Sequence, residues 1–174
     1  MSRPCVAWAS YDCSERYFTA ANLAAVCQIN LREQLYTRVL IAQAVFEEIV
    51  TSRPGNPGAA EIQSAGWLEI KVVTNRSIVT ALELELDKGE AESLALAVEL
   101  GADLVLVDER KGRKVASRLG LNRTGILGVL LVAKKRGLIG NIRPILDDLK
   151  NKAGFWISDD VYNETLRLAG EAGS

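Results

Sequence analysis

Histidine is absent from the whole chain, so any mechanism resting on an imidazole is excluded at the outset, whether a Ser-His-Asp triad, an HExxH zinc site or a histidine general base. Cysteine is scarce. Cys5, Cys13 and Cys27 are odd in number, crowd near the N-terminus and lack the close pairing of a zinc site, so they read as reduced thiols. No apolar run approaches the roughly 20 residues that cross a bilayer, and Tyr11, Asp12, Ser14, Glu15 and Arg16 interrupt what a secretory signal would need to be a continuous apolar stretch. No membrane association is expected, and the cytoplasm is the expected location. No GxGxxG or GxxxxGK[ST] loop follows a strand-like segment, which argues against a nucleotide-using small-molecule enzyme. Catalysis, if present, must use carboxylates, lysines or hydroxyls.

A chain of 174 residues suits one domain, 1–174, that buries about two thirds of its unfolded surface. With 48% hydrophobic and 25% charged residues, it needs neither metal nor disulfide merely to hold a core. The net charge of −1 gives no global pull toward nucleic acid, but the charge is unevenly placed. Glu83, Glu85, Asp87, Glu90, Glu92, Glu99, Asp103, Asp108 and Glu109 precede a stretch, 110–123, that holds Arg110, Lys111, Arg113, Lys114, Arg118 and Arg123 and no acid.

From Arg38 onward strand-like and helix-like segments alternate. "RVLIA" reads as a buried strand and "QAVFEEIVTS" as a helix stopped by "RPGNPG", a strong turn signal. "AAEIQSA" reads as a short helix, "WLEIKVV" as a strand, and Ser77 as a cap for "IVTALELEL". Asp87 suits the cap of "KGEAESLALAVELG", which ends at Gly101. "DLVLV" has the unbroken apolar character of a strand covered on both faces. "ERKGRKVASRLG" follows as a basic helix, "LNRT" as an edge strand and "GILGVLLVAKKRGL" as a helix with a cationic end. "NIRPILDDLKNKA" and "SDDVYNETLRLAGE", the latter capped by Ser158, close the chain as helices, with 155–174 as a helical tail. This order predicts right-handed crossovers and a three-layer α/β/α domain around a mostly parallel sheet.

Functional groups in such sheets gather at the carboxyl ends of the strands, and Asp108 directly follows "DLVLV". It can cap the helix that follows, or it can bind a cation. Glu90 shares a helical stripe with Leu94, Ala97 and Gly101, the side expected to face the sheet, whereas Glu92 aligns with Glu99 on a more polar side. Glu47 and Glu48 sit in "AVFEEIV", and one of the two must point further inward. Acids from three helix starts on one sheet edge can hold Mg²⁺ or Mn²⁺, because hard cations take oxygen ligands and a few carboxylates suffice. Lys111, Arg113 and Lys114, and later Lys134, Lys135 and Arg136, are placed to hold a phosphate backbone. Glu109 reads as a first-turn acid favoured by the helix dipole.

The run "LDKGEAESLALAVELGADLVLVDERKGRKVASRLGLNRTGILGVLLVAKKRGLI", preceded by "RVLIAQAVFEEIV" and followed by "GFWISDDVYNETLRLAGE", resembles the PIN-like domain family. The likeness is to its bacterial branch predicted to bind nucleic acid, related to the toxin ribonucleases of toxin–antitoxin pairs, and covers about residues 22 to 171. It implies a metal-dependent ribonuclease with Glu48, Glu90 and Asp108 as catalytic and metal-binding acids, Mg²⁺ or Mn²⁺ as cofactor, RNA as substrate, a small antitoxin as partner and a homodimer. Glu47, Glu109, Asp12 and Glu15 are further candidates. The family's pattern fails in 1–21, an atypical segment: counting back from Asn22 puts Arg16 where the family carries the central metal-binding Asp. Arg16 to Ala20 can be encoded CGA TAC TTC ACC G, which one base later reads Asp-Thr-Ser-Pro, so a shifted frame would account for the missing motif. The alternative to an active nuclease is an inactive nucleic-acid- or protein-binding domain on the same scaffold.

Overall fold

Among the described residues, five short segments line up side by side to form a parallel sheet, the inner three largely apolar. They are β1 (Cys5–Trp8), β2 (Arg38–Ala42), β3 (Leu68–Lys71), β4 (Leu104–Leu106) and β5 (Arg123–Thr124), in the order β3-β2-β1-β4-β5. A computed structural model describes residues 5–8, 35, 36, 38–51, 59–151 and 155–171. All four strand pairings are parallel, so every connection must cross over, as the alternating sequence requires. Trp8 pairs with Ile41 on one side and Leu106 on the other. The carboxyl ends of the three middle strands therefore lie together, and the first strand occupies the sheet centre. The "RPGNPG" turn and residues 16–20 of the shifted-frame reading lie outside the described residues.

Helices with bounds among the described residues are α1 (Gln43–Thr51), α2 (Ala59–Gln63), α3 (Arg76–Leu82), α4 (Lys88–Leu100), α5 (Arg110–Arg118), α6 (Ile126–Lys135), α7 (Arg143–Asn151) and α8 (Asp159–Leu168). Helix α4 packs on α1, α3 and the strands β1, β2 and β4, and α6 packs on α8. Leu40, Ile41, Leu94, Leu96, Leu130 and Leu146 are fully buried in one core, each stabilising the fold by about 1.5–3 kcal/mol of transfer free energy. No helix among the described residues is long and apolar enough to cross a membrane.

Two local readings need correction. Helix α3 is capped by Asn75, whose Oδ1 accepts from the Ile78 N–H at 3.2 Å, and not by Ser77. Glu99 accepts from the N–H groups of Thr74 and Asn75 at 2.9 and 3.0 Å, which fixes the preceding loop and starts the helix earlier than its apolar pattern does. Glu92 does not share a polar side with Glu99: α4 is buried on every side from Gly89 to Ala97, and Glu92 is only 5% exposed. Its charge is met by Arg76 at 2.9 Å and by the Ala44 N–H at 3.3 Å. Burial of a carboxylate requires such partners.

Candidate metal centre and basic groove

The site begins at the first turn of α4. Asp87 is its N-cap, with Oδ1 accepting from the Glu90 N–H at 2.8 Å. Asp87 and Glu90 are thereby brought to the same helix end. Glu90 is 1% exposed and lies against Gly112 of α5, where a Cβ would stand 2.6 Å from Glu90 Oε1 and 2.8 Å from Val107 Cγ2. Only glycine leaves room for that carboxylate. Glu109 is the N-cap residue of α5 but makes no side-chain capping bond, and its carboxylate instead joins the group. Single oxygens of Asp87, Glu90 and Glu109 all lie within 4.8 Å of one another.

Glu48 approaches from α1. Of the adjacent pair, Glu47 is exposed and accepts from Gln43 Nε2 at 2.7 Å, whereas Glu48 is half-buried. A Cβ on Gly89 would stand 3.3 Å from Glu48 Oε2 and 3.4 Å from Asp87 Oδ1, so these two acids flank the same glycine. Burial, and then the nearby Asp87 charge, push the Glu48 carboxyl up to about 7, against a smaller opposing pull from Lys88. A site that raises an acid this far favours either a proton or another cation.

Asp108 is placed differently. The N-cap of the following helix is Glu109, so Asp108 does not cap α5. Its Oδ1 accepts from the Ile126 N–H at 3.0 Å, so it caps α6, whose own N-cap residue, Gly125, has no side chain to offer. The carboxylate lies directly against Gly125. Burial pushes Asp108 up to about 6, with the Ile126 N–H and the Arg113 charge opposing. Among the described residues, Asp108 is outside the Asp87–Glu90–Glu109 group, though adjacent to Glu109 in the chain.

Beyond Asp108 the surface turns basic. Asp108, Arg110, Lys111, Arg113, Lys114 and Arg123 line a groove of about 900 Å³. Lys111, Arg113 and Lys114 are all exposed there. Arg118 is paired to Glu85 at 2.6 Å. Lys134, read above as a phosphate contact, is held at 3.0 Å by the buried Glu171 and also donates to the Gly140 carbonyl, so it has a structural partner. Asp12, Glu15 and Arg16 lie outside the described residues.

Among the described residues the donor set consists of clustered carboxylate oxygens, which suits a hard divalent cation. From the sequence Asp87 reads only as a cap, whereas Glu109 reads as a dipole acid and a further site candidate, and the structure brings both to the cluster. The signal for Asp87 was nonetheless present, because a cap and the residue three positions on share one helix end. A parallel α/β fold with acids near its strand ends hosts many activities, and sequence comparison supplies the family. The family model DUF3368: PIN domain matches residues 20–171. The chain belongs to the PIN-domain family. The match begins after β1. No curated protein matches the sequence.

Proposed function

We propose that the chain is a metal-dependent ribonuclease. In this reading helices cover both faces of the sheet as three layers, and Glu48, Glu90 and Asp108, joined by Asp87 and Glu109, form the acidic centre. The observation that carries it is the Asp87–Glu90–Glu109 oxygen cluster, which adjoins in sequence the acid that opens the basic groove. Mg²⁺ or Mn²⁺ held there would activate water and offset charge on the phosphoryl group. The chain's own residues do the rest. Lys111, Arg113 and Lys114 hold the RNA backbone, and Gly112 and Gly125 keep the Glu90 and Asp108 carboxylates in position. Asp12 and Glu15 are the candidates for an acid supplied after β1. Action in the cytoplasm as the toxin of a toxin–antitoxin pair, with a small antitoxin partner and a homodimeric state, completes the proposal.

The test is cleavage of a mixed-sequence RNA with Mn²⁺ added or chelated, comparing wild type with Glu90→Gln and Asp108→Asn. Metal-dependent cleavage that falls by about 10²-fold or more in Glu90→Gln supports the reading. Cleavage unchanged in both variants rejects the site. A second reading, an inactive nucleic-acid- or protein-binding domain, is favoured by the engagement of Asp108 as a helix cap. It gains if RNA binds and is never cut.

A further inference from the structure

Trp156 is 77% exposed, while its neighbours Phe155 and Ile157 are buried. The Phe155 N–H donates to the Leu149 carbonyl at 2.9 Å, and Ser158 caps α8 through the Val161 N–H. The chain on both sides of Trp156 is thus anchored, with the indole turned to solvent. Trp156 lines a hollow of about 390 Å³ together with Asp108, Arg113, Arg123 and Gly128. The size is within the roughly 300–1,000 Å³ of small-ligand sites. Arg123 is fixed on the wall by its Nε donating to the Arg113 carbonyl at 3.0 Å. Asp108, Arg113 and Arg123 also line the larger basic groove, so the two depressions adjoin at shared residues.

We propose that this hollow is a base-stacking subsite for single-stranded RNA, an inference that rests on the ribonuclease reading. One unpaired base stacks on the Trp156 indole, and Arg113 and Arg123 hold the adjoining phosphates away from the like charge of Asp108. The combination matches single-strand recognition, in which cations follow the backbone and aromatic faces take bases of any identity. A duplex cannot use it, because its bases are already stacked on one another.

The test is fluorescence anisotropy with the full chain in EDTA, which prevents cleavage, using a labelled unstructured RNA of about 12 nucleotides and the corresponding duplex. Trp156→Ala weakens single-strand binding by about 5- to 150-fold, the range one stacked base supplies, and leaves duplex binding nearly unchanged. Trp156→Phe keeps most of the affinity and serves as the folding control. Equal losses on both RNAs, or none on either beside normal wild-type binding, overturn the subsite alone. A wild-type chain that binds neither RNA overturns the nucleic-acid reading with it.

Discussion

Glu48 shows how much a single position in this fold is asked to do. Its carboxyl is pushed up to about 7, above the roughly 4.3 of an unfolded glutamate. Between those values the folded chain binds more protons than the unfolded one, so its contribution to stability falls as pH rises. In EDTA, the thermal midpoint of wild type is expected to drop between about pH 5 and pH 7.5 more steeply than that of Glu48→Gln. Parallel slopes for the two proteins would contradict this. Asp108, pushed up to about 6, adds a slope of the same sign that the Glu48 variant retains. Gly112 is the second residue under close constraint. In Gly112→Ala the flexible Glu90 carboxylate can swing away, but Val107 Cγ2 at 2.8 Å is branched and buried. Thermal unfolding should show a loss of about 1–3 kcal/mol, and Mn²⁺ binding should weaken with it.

At the scale of elements, distant acids hold the helix ends. Asp108 caps α6 from 18 positions away, and Glu171 caps the start of α7, accepting from Ile142 N–H at 2.7 Å and Arg143 N–H at 3.0 Å. Burial alone would raise the Glu171 carboxyl, but those two N–H groups and the Lys134 ammonium outweigh it and hold it below the usual range. Its stabilisation is therefore present above the ordinary glutamate pKa and lost as pH falls through the depressed value. Glu171→Ala should cost about 1–3 kcal/mol at neutral pH and progressively less in acid, read by denaturant unfolding. For Asp108 the observed cap and the proposed catalytic role separate by substitution. Asp108→Asn keeps an accepting oxygen and near-native stability, whereas Asp108→Ala loses about 0.5–2 kcal/mol. The local caps at Asp87 and Ser158 and the stop at Gly101 were legible because cap and helix adjoin in sequence. The Asp108 and Glu171 caps were not, because no periodicity links a strand end or chain tail to a helix that far along. Ser77 misled because an apolar pattern marks a helix face, while the loop tie at Glu99 sets where the helix begins.

For the whole molecule, the order of strands and helices from Arg38 on was readable because the period changes from strand to helix at each boundary. The placement of β1 at the sheet centre was not, since that depends on pairing between Cys5–Trp8 and two distant strands. The candidate site divides the same way. Glu90 could be chosen from its helix position and Glu48 over Glu47 only from the family resemblance, but the partnership of Glu90 with Glu109 depends on α4 and α5 meeting across Gly112. The basic groove is a second property of the assembled surface, formed where α5 and β5 present their cations together. RNA affinity should accordingly fall with salt, and replacing both Lys111 and Lys114 by alanine should reduce the log–log slope by about 1.4. The proposed chemistry requires the acidic cluster to hold a divalent ion. Its most direct measurement is a Mn²⁺ titration followed by electron paramagnetic resonance at neutral pH, comparing wild type with Glu90→Gln. The expected result is saturable binding that Glu90→Gln weakens by about 10-fold or more. Identical titrations for the two proteins, or no bound ion in wild type, would contradict it.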